Sequence, residues 1–290
     1  MADAEDFADV LTPAGMSRLF DLLADELLAD VDFEAVRSAA RARDPGVAVA
    51  RALADQAPEV AARVAKRLRL LGPLVAAAVV VTLEGVDADD AVADVARVVA
   101  LADRGVETRV ARVLPRIAER VGKSVAAVVV AGAGPLEVEA LVRKQIRDYL
   151  RVVVGAWLGH ARAAAIAGAA ASAGVTEVRY EAVLDAATTE ICRLLHGTTF
   201  SVASLLDALE AVADTSEAKA MEAYPWARRE GDKLVVDRAQ GQVVVATVVG
   251  QPGKGALQFF DALGPDELEH YGIVLPPMHA NCRSTIVPVI

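Results

Sequence analysis

The stretch Val178-Arg179-Tyr180-Glu181-Ala182-Val183-Leu184-Asp185 decides how the chain divides. Val178, Tyr180 and Ala182 alternate with Arg179 and Glu181, the two-residue period of a half-buried strand. Upstream of Gly174 the apolar period is helical instead. Thr12 and Pro13 suit an N-cap and first turn, and Met16, Leu19, Phe20, Leu22, Leu23, Leu27 and Leu28 then form an apolar stripe. Asp32–Arg43, Pro45–Asp55, Pro58–Leu71, Asp87–Ala102, Val106–Val121 and Leu136–Ala173 read as further helices. Gly105, Gly122 and the run Ala131-Gly-Ala-Gly-Pro135 separate them. Downstream, Thr188 or Thr189 can cap a short helix through Leu195 that ends at Gly197, and Ser201–Val212 reads as another helix. Lys233–Asp237 and Gln242–Val249 read as paired strands, Gly255–Leu263 as a short helix, and Thr285–Ile290 as a short edge strand pinning the chain end to a sheet. The fold class is therefore a mainly α N-terminal region, residues 1–175, followed by a small α+β domain, residues 176–290.

Composition agrees with tight helical packing. Of 290 residues, 54 % are hydrophobic but only 4 % aromatic, so the apolar mass is Ala, Val and Leu. A net charge of −10 gives no indication of direct DNA binding, which draws its affinity from Lys and Arg on phosphates. The acidic start Met1–Asp9 has no basic, then apolar, leader pattern, so the chain is expected to fold in a reducing cytoplasm. The apolar runs Leu70–Leu83 and Val152–Val175 are read as buried helices and not as membrane spans. The first is shorter than the roughly twenty residues a bilayer needs, and the second carries His160 and Arg162. Arg63, Lys66, Arg67 and Arg69 make Pro58–Leu71 a basic amphipathic helix, a solvated face on which an acidic partner could dock.

The residues with chemistry cluster in two places. One is Asp185-Ala-Ala-Thr188-Thr-Glu-Ile-Cys192-Arg-Leu-Leu-His196-Gly197; the other is the ending Leu275-Pro276-Pro277-Met-His279-Ala280-Asn281-Cys282-Arg283-Ser284. Cys192 and His196 stand one helical turn apart, and His279 and Cys282 share a turn stiffened by the proline pair. Together they offer two thiolates and two imidazoles, the donor set of a structural zinc site. The alternative is that both cysteines are buried small hydrophobes and His279 donates to a backbone carbonyl. A Cys192–Cys282 disulfide is a third reading, disfavoured in a reducing compartment. Asp185 suits a turn former, and Arg283 is expected to brace the region by pairing with Asp185 or with helix-end carbonyls. No catalytic residues stand out. A Cys–His couple can be drawn, but no third orienting residue, phosphate loop or serine elbow accompanies it.

These two blocks resemble the Mu F-like family of phage head morphogenesis proteins. In that family Asp-x-x-Thr-x-x-x-Cys-x-x-Leu-x-Gly precedes a terminal Pro-Pro-x-His-Pro-Asn-Cys-Arg-Cys. Asp185, Thr188, Cys192, Leu195 and Gly197 match the first pattern; Pro276, Pro277, His279, Asn281, Cys282 and Arg283 match the second. Ala280 and Ser284 depart from it. The resemblance covers roughly the last two fifths of the chain. It implies a minor head protein of a phage or prophage, associated with the portal and other head proteins, in multiple copies per particle. Its role would be in capsid assembly or DNA packaging and ejection, in the host cytoplasm during assembly and then in the virion head. The alternatives are a Mu F-like module of a toxin-delivery system and a metal-dependent enzyme.

Overall fold

The computed structural model describes residues 13–82, 95–101, 106–213, 227–238, 241–250, 257–276 and 282–289. Helices come first: α1 Pro13–Leu28, α2 Phe33–Ala39, α3 Pro45–Thr82, α4 Val106–Val130 and α5 Pro135–Ser172, with further helical residues at 95–101. Strands and short helices then follow as β1 Glu177–Glu181, α6 Glu190–Leu195, β2 Thr199–Ser201, α7 Val202–Ala213, β3 Arg228–Glu230, β4 Lys233–Arg238, β5 Gly241–Val249, β6 Gln258–Phe260, α8 Pro265–His270 and β7 Thr285–Pro288. The order is the expected one, mainly α and then small antiparallel sheets. Ala14–Leu70 with Val106–Gly155 form one compact unit. Met1–Pro13, Leu71–Gly105 and Ala156–Ile290 form the other, so the last part of α5 groups with the sheets.

In the helical unit, Asp32 caps α2 by accepting from the Glu34 and Ala35 amides at 2.9 and 3.0 Å. The buried Glu139 accepts from Arg37 at 2.8 Å and from Arg143 at 2.7 Å, and the Arg143 guanidinium stacks 3.8 Å from the Phe33 ring centre. Arg63 and Arg67 of the basic helix reach Asp30, Glu59 and Glu26 of their own chain. Part of the charge expected to face an acidic partner is therefore spent internally.

Two expected breaks are absent. Pro58 does not separate two helices, because α3 runs unbroken from Pro45 to Thr82 through Pro58 and Pro73. An interior proline costs about 3 kcal/mol. The buried stripe Leu53, Ala57, Val60, Ala61, Val64, Ala65 and Leu68 crosses Pro58, and each buried Val or Leu contributes about 1.5–3 kcal/mol, so continuity wins. Nor does Gly122 end a helix. A Cβ there would lie 2.5 Å from the Gly46 carbonyl oxygen, so the missing side chain serves a close crossing of α3 and α4. The break at Ala131–Pro135 is real: Gly132 has φ of 95° and α5 starts on Pro135. By length and composition α5 could cross a bilayer, but most of its apolar window is buried inside the protein.

In the second unit, β1 is the centre of a three-stranded antiparallel sheet ordered β2-β1-β7. Val178 and Tyr180 are fully buried, as the alternation requires. Glu181 pairs with Thr285 and Val178 with Pro288, so the chain end is an edge strand as expected. Strands β3-β4-β5-β6 form an antiparallel meander, with a bulge between Leu234 and Val235. Within the expected helix Gly255–Leu263, of which residues 257–263 are described, the chain instead forms strand β6, in which Phe259 and Phe260 pair with Val248 and Thr247. Adjacent aromatic residues favour a pleated, half-covered surface, and an available edge on β5 supplies the partner that local periodicity cannot reveal.

Candidate functional site

The turn after β1 is built around Asp185. Its Oδ1 accepts from the Ala187 amide at 2.9 Å, the turn-forming bond expected of it. The buried Thr188 hydroxyl accepts from the Asp185 amide at 2.8 Å and directs its own proton to the Val183 carbonyl and to Asp185 Oδ1 at 3.0 Å. Arg193, one turn into α6, donates to the Thr188 carbonyl at 3.2 Å and to the Asp185 carbonyl. The Asp185, Thr188 and Arg193 side chains are thereby engaged within the loop, while the buried hydroxyl of Thr189, at the N-cap of α6, makes no capping bond and has no partner there.

Arg283 arrives from the other end of the domain. Its Nη2 lies between both carboxylate oxygens of Asp185, at 2.8 and 2.7 Å. The expected brace is present, between residues 98 positions apart. Arg283 holds the Asp185 carboxyl below its ordinary value, with help from Thr188 and the Ala187 amide, whose hydrogen bonds favour the ionised form.

Beneath this ion pair lies a buried sulfur pair. Cys192 on α6 and Cys282 ahead of β7 place their Sγ atoms 3.7 Å apart, with no disulfide between them. The hydroxyl of Tyr180, at the centre of β1, lies 3.5 Å from Cys192 Sγ and 3.9 Å from Cys282 Sγ. The buried Ser284 faces the same cluster, where its hydroxyl partly offsets the upward push on Tyr180 and Cys192. The contact with Cys282 and burial push the Cys192 thiol well up, and burial does the same to the Tyr180 phenol. Both groups stay neutral, so Cys192 is no activated nucleophile.

His196 does not join the sulfurs. It caps the end of α6, and its Nδ1 accepts from the Ala182 amide at 3.1 Å and lies 3.4 Å from Glu181 Oε2. A residue ending a helix no longer holds helical backbone angles, so the i, i+4 rule stops applying there. Gly197 follows at the expected positive φ, 82°, but its amide donates to the Tyr180 carbonyl of β1 at 2.8 Å and not to a carbonyl of α6, so the expected helix cap is instead a turn tied to the sheet. Pro276 is buried, while Pro277, His279 and Asn281 lie outside the described residues. Two thiolates at about 2.3 Å from a tetrahedral zinc stand about 3.8 Å apart, so the sulfurs alone fit a metal. Among the described residues, however, no three metal-donor side chains come together, and His196 is engaged elsewhere.

Tyr180, Arg193 and Ser284 are the residues of the cluster that sequence reading gave no site role. Tyr180 is a buried strand position whose hydroxyl needs a partner, the one clue the pattern contained. A neighbouring contact is equally unforeseen: Glu269 of α8 accepts from the Ser201 amide at 2.6 Å and from the Ser204 hydroxyl at 2.8 Å, tying α8 to the start of α7. No family model, curated protein or solved structure matches the chain.

Proposed function

We propose that this protein is a minor head protein of a phage or prophage, associated with the portal and acting in capsid assembly or in DNA packaging and ejection. The reading rests on the Mu F-like pattern of its two sequence blocks. The observation that carries it is their meeting: Asp185 and Cys192 of the first block touch Arg283 and Cys282 of the second, at 2.7 and 3.7 Å. A pattern split by 90 residues has a physical reason to be kept together when its two halves form one brace. The role is structural and not catalytic. The Asp185 carboxylate, the Arg283 guanidinium and the Thr188 hydroxyl are spent on backbone and on each other, both thiols are buried, and that of Cys192 is held neutral. Several copies per particle suit a helical unit rich in small residues, whose repeated contacts symmetry would supply.

The test is composition and binding. Purified particles of the producing phage or prophage should contain the chain in multiple copies, and the purified chain should bind the portal protein of the same particle. Absence from particles together with no portal binding would sink the reading. An Arg283→Ala variant should fold less stably and enter particles at reduced copy number. Normal incorporation of a variant whose brace is lost would detach the motif from assembly.

A further inference from the structure

Two features of the second unit bear on each other. Strand β7 has four residues, ends at Pro288 and, among the described residues, is bonded on one side only, to β1. Cys282, three residues before it, sits against Cys192 of α6, which lies 90 residues earlier in the chain. Both residues are shielded from solvent, 1 % and 2 % exposed, so reagents reach Cys282 through a local opening, for which edge strand β7 and its lead-in are the nearest segment. The half-exposed Arg283–Asp185 ion pair, one residue from Cys282, is one of the contacts holding that lead-in down. An Sγ–Sγ separation of 3.7 Å has to close by about 1.7 Å to reach the disulfide length of about 2.05 Å.

We propose that Cys192 and Cys282 form a redox-closable staple that locks the chain end onto α6 in an oxidising environment and leaves it releasable in a reducing one. This inference is independent of the head-protein reading. The oxidant is a small-molecule disulfide. With β7 lifted, the Cys282 thiol gives up its proton and attacks one sulfur of that disulfide, expelling one small thiolate and leaving a mixed disulfide. Cys192, losing its proton, then attacks the Cys282 sulfur and expels the second small thiolate. The protein loses two thiol hydrogens and two electrons; the small disulfide takes both and becomes two thiols. Closing so long a loop restricts the unfolded chain strongly, so the staple raises stability once formed.

The experiment uses the full chain, reduced, desalted and assayed for bound metal, then incubated with oxidised glutathione. Reaction is stopped with N-ethylmaleimide and the unreduced digest is mapped by mass spectrometry. The expected product is one intramolecular peptide pair joining Cys192 and Cys282. The melting temperature rises by about 5 °C or more and returns on adding dithiothreitol. The Cys192→Ser variant gives no cross-link, and Arg283→Ala closes several-fold faster because its lead-in opens more often. The reversible melting shift of the unaltered chain needs no variant to fold. Glutathione adducts without the cross-link, a cross-link that leaves the melting temperature unchanged or lower, or near-stoichiometric zinc held by the two thiolates would each overturn the proposal. An unchanged rate in Arg283→Ala would overturn the role given to β7 opening.

Discussion

Gly122→Ala reverses the usual sign of a helix substitution. In an unobstructed helix the change would stabilise by about 0.8–1.0 kcal/mol, because alanine restricts the unfolded chain and glycine does not. Here the new methyl would stand 2.5 Å from the Gly46 carbonyl oxygen and 2.8 Å from Ala50 Cβ, where carbon contacts ordinarily begin at about 3.5 Å. Helices α3 and α4 would have to part by about 1 Å along a crossing lined by buried Val49, Val121 and Val125. Overpacking of this kind costs about 1–3 kcal/mol, so the net effect is a loss of about 1 kcal/mol where an open helix would show a gain. Gly46→Ala meets the Gly122 carbonyl at 2.7 Å and should behave alike. The double variant should cost less than the sum, since one parting of the helices serves both. Urea unfolding followed by circular dichroism measures each difference, with exposed Ala127→Gly on the same helix as a calibrator expected to lose about 1 kcal/mol. A Gly122→Ala protein more stable than its parent would refute the close crossing.

The remaining predictions concern the second unit. Phe200→Ala, at a fully buried position on β2, should cost about 3–5 kcal/mol, read as a lower urea midpoint; a loss below about 1 kcal/mol would mean the sheet does not cover that ring. Asp185→Asn keeps the oxygen that accepts from the Ala187 amide and removes the charge facing Arg283. Because the folded carboxyl is held below its ordinary value of 3.8, its contribution is complete above that value and is lost as pH falls through the depressed folded value. The gap in melting temperature between parent and Asp185→Asn should therefore be widest near neutral pH, close on acidification and shrink in high salt. A gap that widens in acid would refute the assignment of the charge to this pair.

Local chemistry made much of this protein legible in its residues. Alternation at Val178, Tyr180 and Ala182 marked β1, the positive-φ Gly197 marked where α6 stops, and the β-branched tail marked β7, since each signal is local in sequence. The Asp185–Arg283 brace was one of the two partnerships expected for Arg283, with Asp185 already placed at a turn, and the structure selects it over helix-end carbonyls. What the residues alone left open were questions of long-range partnership. Whether Pro58 breaks a helix depends on the stripe that buries α3, whether Phe259 and Phe260 form a helix or a strand depends on a free edge of β5, and whether Gly122 ends α4 depends on Gly46. His196 follows the same rule: sequence spacing put it beside Cys192, but the helix ends there and the Ala182 amide captures its ring nitrogen. The short-range period of the chain fixes which elements form. Only burial, which sums free energy over residues far apart, selects among their alternatives and brings Cys192 and Cys282 to one point.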